Sequence, residues 1–372
     1  MNRNILSLDF DGGEIIAALA AQDDDTDTLR IRHILRRPSR AFAGAFVRDM
    51  QGAQEELGKI FADIAQYVSF DPSVVVGLRG NFLSFKHSNG FESVNARNRI
   101  IGDREIEAAA QNSVPTSLSD TLDVVDILPL SYSIDGNTDI KNPKGMSGFT
   151  LGAETFISYG LVTHLDNLNH VFTAANCTDY QVLPSSVAEG ETLLTPEEKQ
   201  AGVLLWDISG SLSSLLVYYK GSLMDGWEIP LGKDNLAEYV ADLLQNDVET
   251  TRDILRDYEP GSDEIMDDVL EDAQEKLLSA LTKELCQSVS YLKYPATRLV
   301  LCGSGADKTL LKTAKKVWNL RKARIGVFDD LIADCPADNP AYCGAVALIR
   351  HALDREAKQM GVAKAKEPGI LD

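Results

Sequence analysis

The sequence is short of the features that mark several large classes of protein. Its five cysteines (Cys177, Cys286, Cys302, Cys335, Cys343) include no CxxC and no short paired spacing. That sets aside a disulfide scaffold and suits a reducing cytoplasm. The five histidines (His33, His87, His164, His170, His351) show no i, i+4 or carboxylate-paired pattern, so no metal-binding helix is signalled. No window approaches 18 uninterrupted apolar residues, and Ile5–Leu8 is too short for a signal h-region before Asp9 interrupts it. Basic residues are outnumbered 36 to 56, a net charge of −20. This removes nucleic acid as a general partner, because binding phosphate backbone needs a basic face. What remains, 44% apolar and 25% charged over 372 residues, is a globular chain of two or so domains at roughly 150 residues each.

Residues 5–22 read as two apolar runs joined by a Gly turn, the pattern of a β-hairpin, and residues 29–37 as a basic strand. Leu57, Ile60, Phe61, Ile64 and Val68 recur at helical spacing, and Val74–Val76 follows as a buried strand. The order strand, strand, strand, helix repeats from about residue 202, where Trp206-Asp207-Ile208-Ser209-Gly210 lies over Leu8-Asp9-Phe10-Asp11-Gly12 at an offset of 198 residues. The chain therefore carries an internal duplication. Residues 85–160 follow neither pattern and read as an inserted small α+β module. Asp263–Val289 predicts a long amphipathic helix, Arg298–Cys302 a buried strand ending in Gly303-Ser304-Gly305, and Lys308–Leu320 a basic helix.

Two strand-end aspartates, each followed by small residues, and a third strand ending in Gly-Ser-Gly point to a magnesium nucleotide. Such turns let backbone N–H groups approach phosphate oxygens, and strand-end carboxylates can hold the water shell of Mg²⁺. No Ser/His/Asp or Cys/His arrangement stands out.

Over nearly its whole length the chain resembles the FtsA family of actin-like cell-division proteins. The resemblance is carried by Asp103-Arg104-Glu105-Ile106, by Ile127-Leu-Pro-Leu-Ser-Tyr-Ser-Ile-Asp-Gly136, and by Asn142-Pro-Lys-Gly-Met-Ser-Gly148. Val74-Val-Val-Gly-Leu-Arg-Gly80 and Leu194-Thr-Pro-Glu-Glu-Lys-Gln-Ala-Gly202 also fit. It implies an α/β fold of the actin and Hsp70 superfamily, with duplicated ribonuclease-H-like halves. The first half would comprise 1–84 and 161–200 with a C-terminal helix at 340–355, and the FtsA-type insert 85–160. The second would comprise 201–232 and 296–339, with a reduced helical subdomain at 233–295.

Carried over residue by residue, the resemblance implies ATP and Mg²⁺ as cofactors. Asp9, Asp11, Gly12 and Gly13 would form the first phosphate turn; Ser209, Gly210, Ser211 and Gly232 would serve the second. Glu249, Arg252, Gly303, Ser304 and Gly305 would flank the adenosine. Asp9 and Asp207 would face magnesium through water. The chain departs from the family where Asp11 brings a carboxylate to a phosphate position, Glu14 replaces the usual lysine, and the second turn keeps a single glycine.

The expectation is a cytoplasmic ATP-binding scaffold, at the inner face of the membrane, that polymerises head to tail and is at most a slow ATPase. Candidate partners are further copies of itself and an FtsZ-like protein. Membrane contact would need a partner or a C-terminal targeting helix, which Lys358–Pro368 does not resemble. The alternative is a nucleotide-free interaction platform of the same fold; a small-molecule kinase is least favoured. Nine acids and no base between Asp257 and Glu275, set against the lysines of 308–324, suggest complementary patches for self-association.

Overall fold

The computed structural model describes residues 3–23, 28–68, 71–95, 98–287 and 295–359. In chain order it opens with strands β1 (Arg3–Asp11), β2 (Glu14–Gln22) and β3 (Leu29–Pro38), a two-residue pair β4 (Phe42–Ala43) and β5 (Phe46–Val47), helix α1 (Met50–Ile64) and strand β6 (Ser73–Leu78). Next come β7 (Leu83–Ser93), α2 (Asp103–Gln111), β8 (Leu122–Ile134), β9 (Asn137–Ile140) and β10 (Thr150–Leu161). Then follow α3 (Val162–Ala174), β11 (Tyr180–Pro184), α4 (Ser185–Leu193) and α5 (Pro196–Ala201). The later part holds β12 (Val203–Ile208), β13 (Ser213–Tyr219), β14 (Ser222–Ile229), α6 (Lys233–Leu244), α7 (Val248–Asp257) and α8 (Glu264–Gln287). It closes with β15 (Arg298–Cys302), α9 (Lys308–Val317), β16 (Lys322–Ile325), β17 (Ile332–Ala333) and α10 (Cys343–Gln359).

Three sheets organise these strands: β11-β6-β1-β2-β3-β17, β14-β13-β12-β15-β16, and β7-β10-β8-β9 for residues 83–161. The hairpin β1–β2 turns on Gly12, whose φ of +66° favours glycine, and β1 pairs in parallel with β6. In the five-stranded sheet the same pairing recurs, β12 antiparallel to β13 and parallel to β15. This is the expected duplication in three dimensions.

The period-2 alternation of strands decides what the central strands present. Leu6, Leu8 and Phe10 of β1 pack with Leu57 and Ile60 of α1 and Val171 and Phe172 of α3. Ile5 belongs instead to a core shared with Val187 and Ala188 of α4 and with Val346 and Ile349 of α10. Val203 and Leu205 of β12 and Val300 of β15 join that same core, while Leu204, Trp206 and Ile208 face α8 and α9. The shared core therefore lies between the two larger sheets, and the rows 5-7-9-11 and 203-205-207 run along it. Those rows end in carboxylates, so the alternation that builds the core also delivers Asp9, Asp11 and Asp207 to its end.

The insert packs α2 against β7 and β10, with Leu151, Ala153, Ala109 and Ile101 buried together. α8 buries Leu270, Ala273, Leu277, Leu281 and Leu285 along one stripe, as its spacing predicts. α9 ends at Val317, short of the expected Leu320, and Asn319 beyond it has a positive φ of 50°. The expected helix end at Val289 falls outside the described residues, as does most of Lys358–Pro368. Among the described residues no helix is long and apolar enough to cross a membrane.

Acidic α8 and basic α9 lie against each other: Lys316 Nζ meets Glu271 at 2.7 Å and Glu275 at 3.0 Å. Part of the complementarity expected of a self-interface is thus satisfied within the chain. The arginines of β3 behave alike, Arg30 pairing with Asp334 and Arg37 with Asp63, each at 2.8 Å. Arg36 donates to Glu14 at 2.7 Å, which accounts for an acid at the lysine position of the first turn.

Candidate functional site

Asp9 lies next to last in the β1 row, Asp207 closes the β12 row, and Glu189 comes from α4. All three are buried, and the group at their centre is Arg79, just beyond the C-terminal end of β6. Arg79 Nη2 lies 3.3 Å from Asp9 Oδ2 and 3.2 Å from Glu189 Oε1, while Nη1 lies 2.6 Å from Asp207 Oδ1. The last is an ion contact outside hydrogen-bond geometry, since neither Nη1 nor Asp207 Oδ1 has a hydrogen-bond partner. The Ser185 hydroxyl donates to the other oxygen of Asp9 at 2.6 Å. Burial lowers the Arg79 pKa and the surrounding carboxylates, led by Asp207, raise it; the carboxylates win and hold it well above the usual arginine value.

The packing around this cluster leaves no slack. A Cβ at Gly344, the second residue of α10, would sit 2.0 Å from Asp9 Oδ2 and 2.8 Å from Arg79 Nη2. One at Gly303 would sit 2.6 Å from Asp207 Oδ1. The backbone comes this close only because both positions lack a side chain.

Two more carboxylates flank the cluster, Asp11 buried and Glu228 half-buried. Burial first, then the Asp207 charge, pushes Asp11 up to about 7; Arg79 opposes this, and Ser304 lies near enough to oppose it too. Neither Asp11 oxygen accepts a hydrogen bond of normal geometry. Glu228 of β14 is also pushed to about 7 by burial, against Arg79 and its own donors. Ser186 donates to its Oε1 at 3.0 Å, and Ser214 (2.7 Å) and the Gly80 amide (3.3 Å) to its Oε2. Glu228 thereby ties β14 to α4 and to the loop beside Arg79. Glu189 is held well above the carboxylate range, by burial first and Asp207 second.

The residues expected to cradle phosphates meet one another. Gly12 abuts the second turn so closely that a Cβ there would lie 3.0 Å from the Gly210 amide nitrogen and 3.1 Å from Ser209 Oγ. At the start of α6 the Lys233 and Asp234 amides donate to the carbonyls of Ser209 (2.8 Å) and Gly210 (2.6 Å), so these helix N-terminal donors already have partners. Gly232 is buried beneath that turn, while Gly13 and Ser211 are exposed at its rim. Gly303 donates to Pro340 and Gly305 to Ile208, with Ser304 half-buried beside Asp11.

The structure thus brings together Asp9, Asp11, Gly12, Ser209, Gly210, Asp207, Gly232 and the Gly303–Gly305 turn. It does not gather Glu249 and Arg252, which are exposed on α7, a helix packed on α6. Arg79, Glu189, Glu228 and Gly344 were not foreseen. The available signal was an arginine at the end of an apolar strand, between Gly77 and Gly80.

As they stand, these side chains do not fit Mg²⁺. Asp9 and Asp207 contact a guanidinium at distances proper to nitrogen, whereas Mg²⁺ requires oxygens at about 2.0–2.1 Å in an octahedron. Glu189, Asp207 and Cys302 could offer ligand atoms within 4.8 Å of one another. Two of these carboxylates are already on Arg79, and burial holds the Cys302 thiol well up and protonated. Nor do the turns fit a triphosphate in this closed arrangement, because Gly12 and Ser209–Gly210 fill the space between them.

A family profile described as the SHS2 domain inserted in FTSA matches residues 80–158. The cell-division protein FtsA of Bacillus subtilis is 25% identical, over 97% of this chain and 86% of its own length. The chain is similar to the FtsA family over nearly its whole length, and its insert matches the one that family carries. Its fold is actin-like. It is similar to a chain of a PilM–PilN type IV pilus biogenesis complex at a TM-score of 0.64, with 13% identity and coverage of 94% and 98%. It is also similar to MreB5 of Spiroplasma citri bound to ADP, at a TM-score of 0.51, with 11% identity and coverage of 97% and 99%. This FtsA relative thus shares the fold of a protein seen with ADP bound.

Proposed function

We propose that this FtsA relative is a scaffold of the cell-division machinery whose two actin-like halves are closed by their own side chains. The halves are residues 1–84 with 161–200, and 201–232 with 296–339. The insert 85–160 and the helical segment 233–295 are then free to contact further copies of the chain and an FtsZ-like partner. Membrane association would come through a partner. The contact of Gly12 with Ser209 and Gly210 carries this reading, because it joins the halves at the place a nucleotide would otherwise bridge. Asp9, Glu189 and Asp207 all face Arg79, so none of these three is free to orient water for ATP hydrolysis.

The test is sedimentation and electron microscopy of the full chain with and without Mg-ATP. Assembly of equal extent in both supports a ligand-independent scaffold; assembly that requires ATP overturns it.

A second reading, ATP bound in an opened cleft, is favoured by the likeness to ADP-bound MreB5 and by the exposed Gly13 and Ser211 at the rim. A calorimetric titration separates the two. A saturating heat with a micromolar constant supports the second reading, and a flat titration the first.

A further inference from the structure

We propose that Arg79 stands in for a divalent cation: its guanidinium supplies, from within the chain, the positive charge that draws Asp9, Glu189 and Asp207 together across the two halves.

The geometry carries this. Three carboxylates from three elements, β1, α4 and β12, converge on one group, and the distances of 2.6–3.3 Å are those of a guanidinium. Arg79 is 1% exposed, and the carboxylate atoms around it are equally shut off from water. Such a set stays charged only if a cation sits within it, because buried anions repel one another in a medium that screens them poorly and otherwise take up protons. Arg79 Nη2 donates to both Asp9 Oδ2 and Glu189 Oε1, and Nη1 sits 2.6 Å from Asp207 Oδ1 outside hydrogen-bond geometry, so one guanidinium serves all three carboxylates. Arginine suits the role because it stays charged when buried and its planar fork reaches several oxygens at once. Gly344 and Gly303 admit the side chains where any Cβ would collide. Closure is therefore independent of metal, and deleting the guanidinium leaves a vacant three-carboxylate site that suits a hard divalent ion.

This inference uses the closed cleft of the proposed scaffold for its location but is tested separately. A nucleotide that binds without metal would overturn the scaffold reading and leave the role of Arg79 standing. The experiment is thermal unfolding of the full chain in EDTA, MgCl₂ or MnCl₂, with calorimetric titration of Mn²⁺. Wild type should show one midpoint in all three buffers and no saturable Mn²⁺ site. Arg79→Ala should unfold at lower temperature, gain a single saturable Mn²⁺ site that raises its midpoint, and lose that site again in Arg79→Ala/Asp207→Asn. Arg79→Lys, which keeps the charge, should remain folded and indifferent to metal. A one-to-one Mn²⁺ site in wild type that Asp207→Asn removes would overturn the proposal. So would a folded Arg79→Ala that binds no metal, or an Arg79→Lys that needs metal to fold.

Discussion

Arg79 and Lys316 each sit among several carboxylates, yet their surroundings assign them different parts. Arg79 is 1% exposed among Asp9, Glu189 and Asp207, while the Lys316 side chain is 65% exposed beside Glu271 and Glu275. Water and salt screen the surface set, and either partner can be lost to solvent at little cost. The buried set has no such escape, so removing one member strands the others. Net charge therefore says little about which charges hold the molecule together. The stretch 257–275 holds nine of the 56 acids, yet one arginine governs the centre.

The comparison breaks most sharply at Arg79. Its replacement by alanine should lower stability by about 3–5 kcal/mol in denaturant titrations, the usual cost of leaving buried charge unpaired; a loss no larger than that of a surface arginine would equate the two regions. Next is pH. Asp11 has a folded pKa of about 7 against 3.8 for the free side chain. Between those values the folded state holds a proton that the unfolded chain has released, so stability falls as pH rises from about 4 to 7 and levels off above. The slope approaches about 1.4 kcal/mol per pH unit. Asp11→Asn should flatten that part of the profile and exceed wild type at pH 7.5, with the gap closing toward pH 4. Gly344→Ala should cost about 1–3 kcal/mol through forced displacement of Asp9, measured by thermal unfolding. Lys316→Ala should leave the unfolding midpoint unchanged within error at moderate salt.

Much of the fold was legible because it rests on local pattern. The alternation in 5–22, the helical stripe of 264–287 and the repeat at 202 each need only neighbouring residues, and the insert was recognisable from Ile127–Gly136 and Asn142–Gly148. The acidic strand ends were legible for the same reason. Arg79 was not, because a strand-end arginine ordinarily meets solvent, and its partners lie 70, 110 and 128 positions away in sequence. Glu249 and Arg252, whose spacing matches the family, lie exposed on α7, apart from the buried cluster. The patches of α8 and α9 suggested an interface between molecules, whereas packing turned them toward each other.

The central claim is that protein side chains alone close the two halves. Hydrogen–deuterium exchange at the amides of Asp11–Gly13 and Ser209–Leu212 tests it most directly, in the free protein and again with saturating Mg-ATP. Slow exchange in both segments without ligand, unchanged by Mg-ATP, is the predicted result. Fast exchange in the free protein that Mg-ATP suppresses would contradict it.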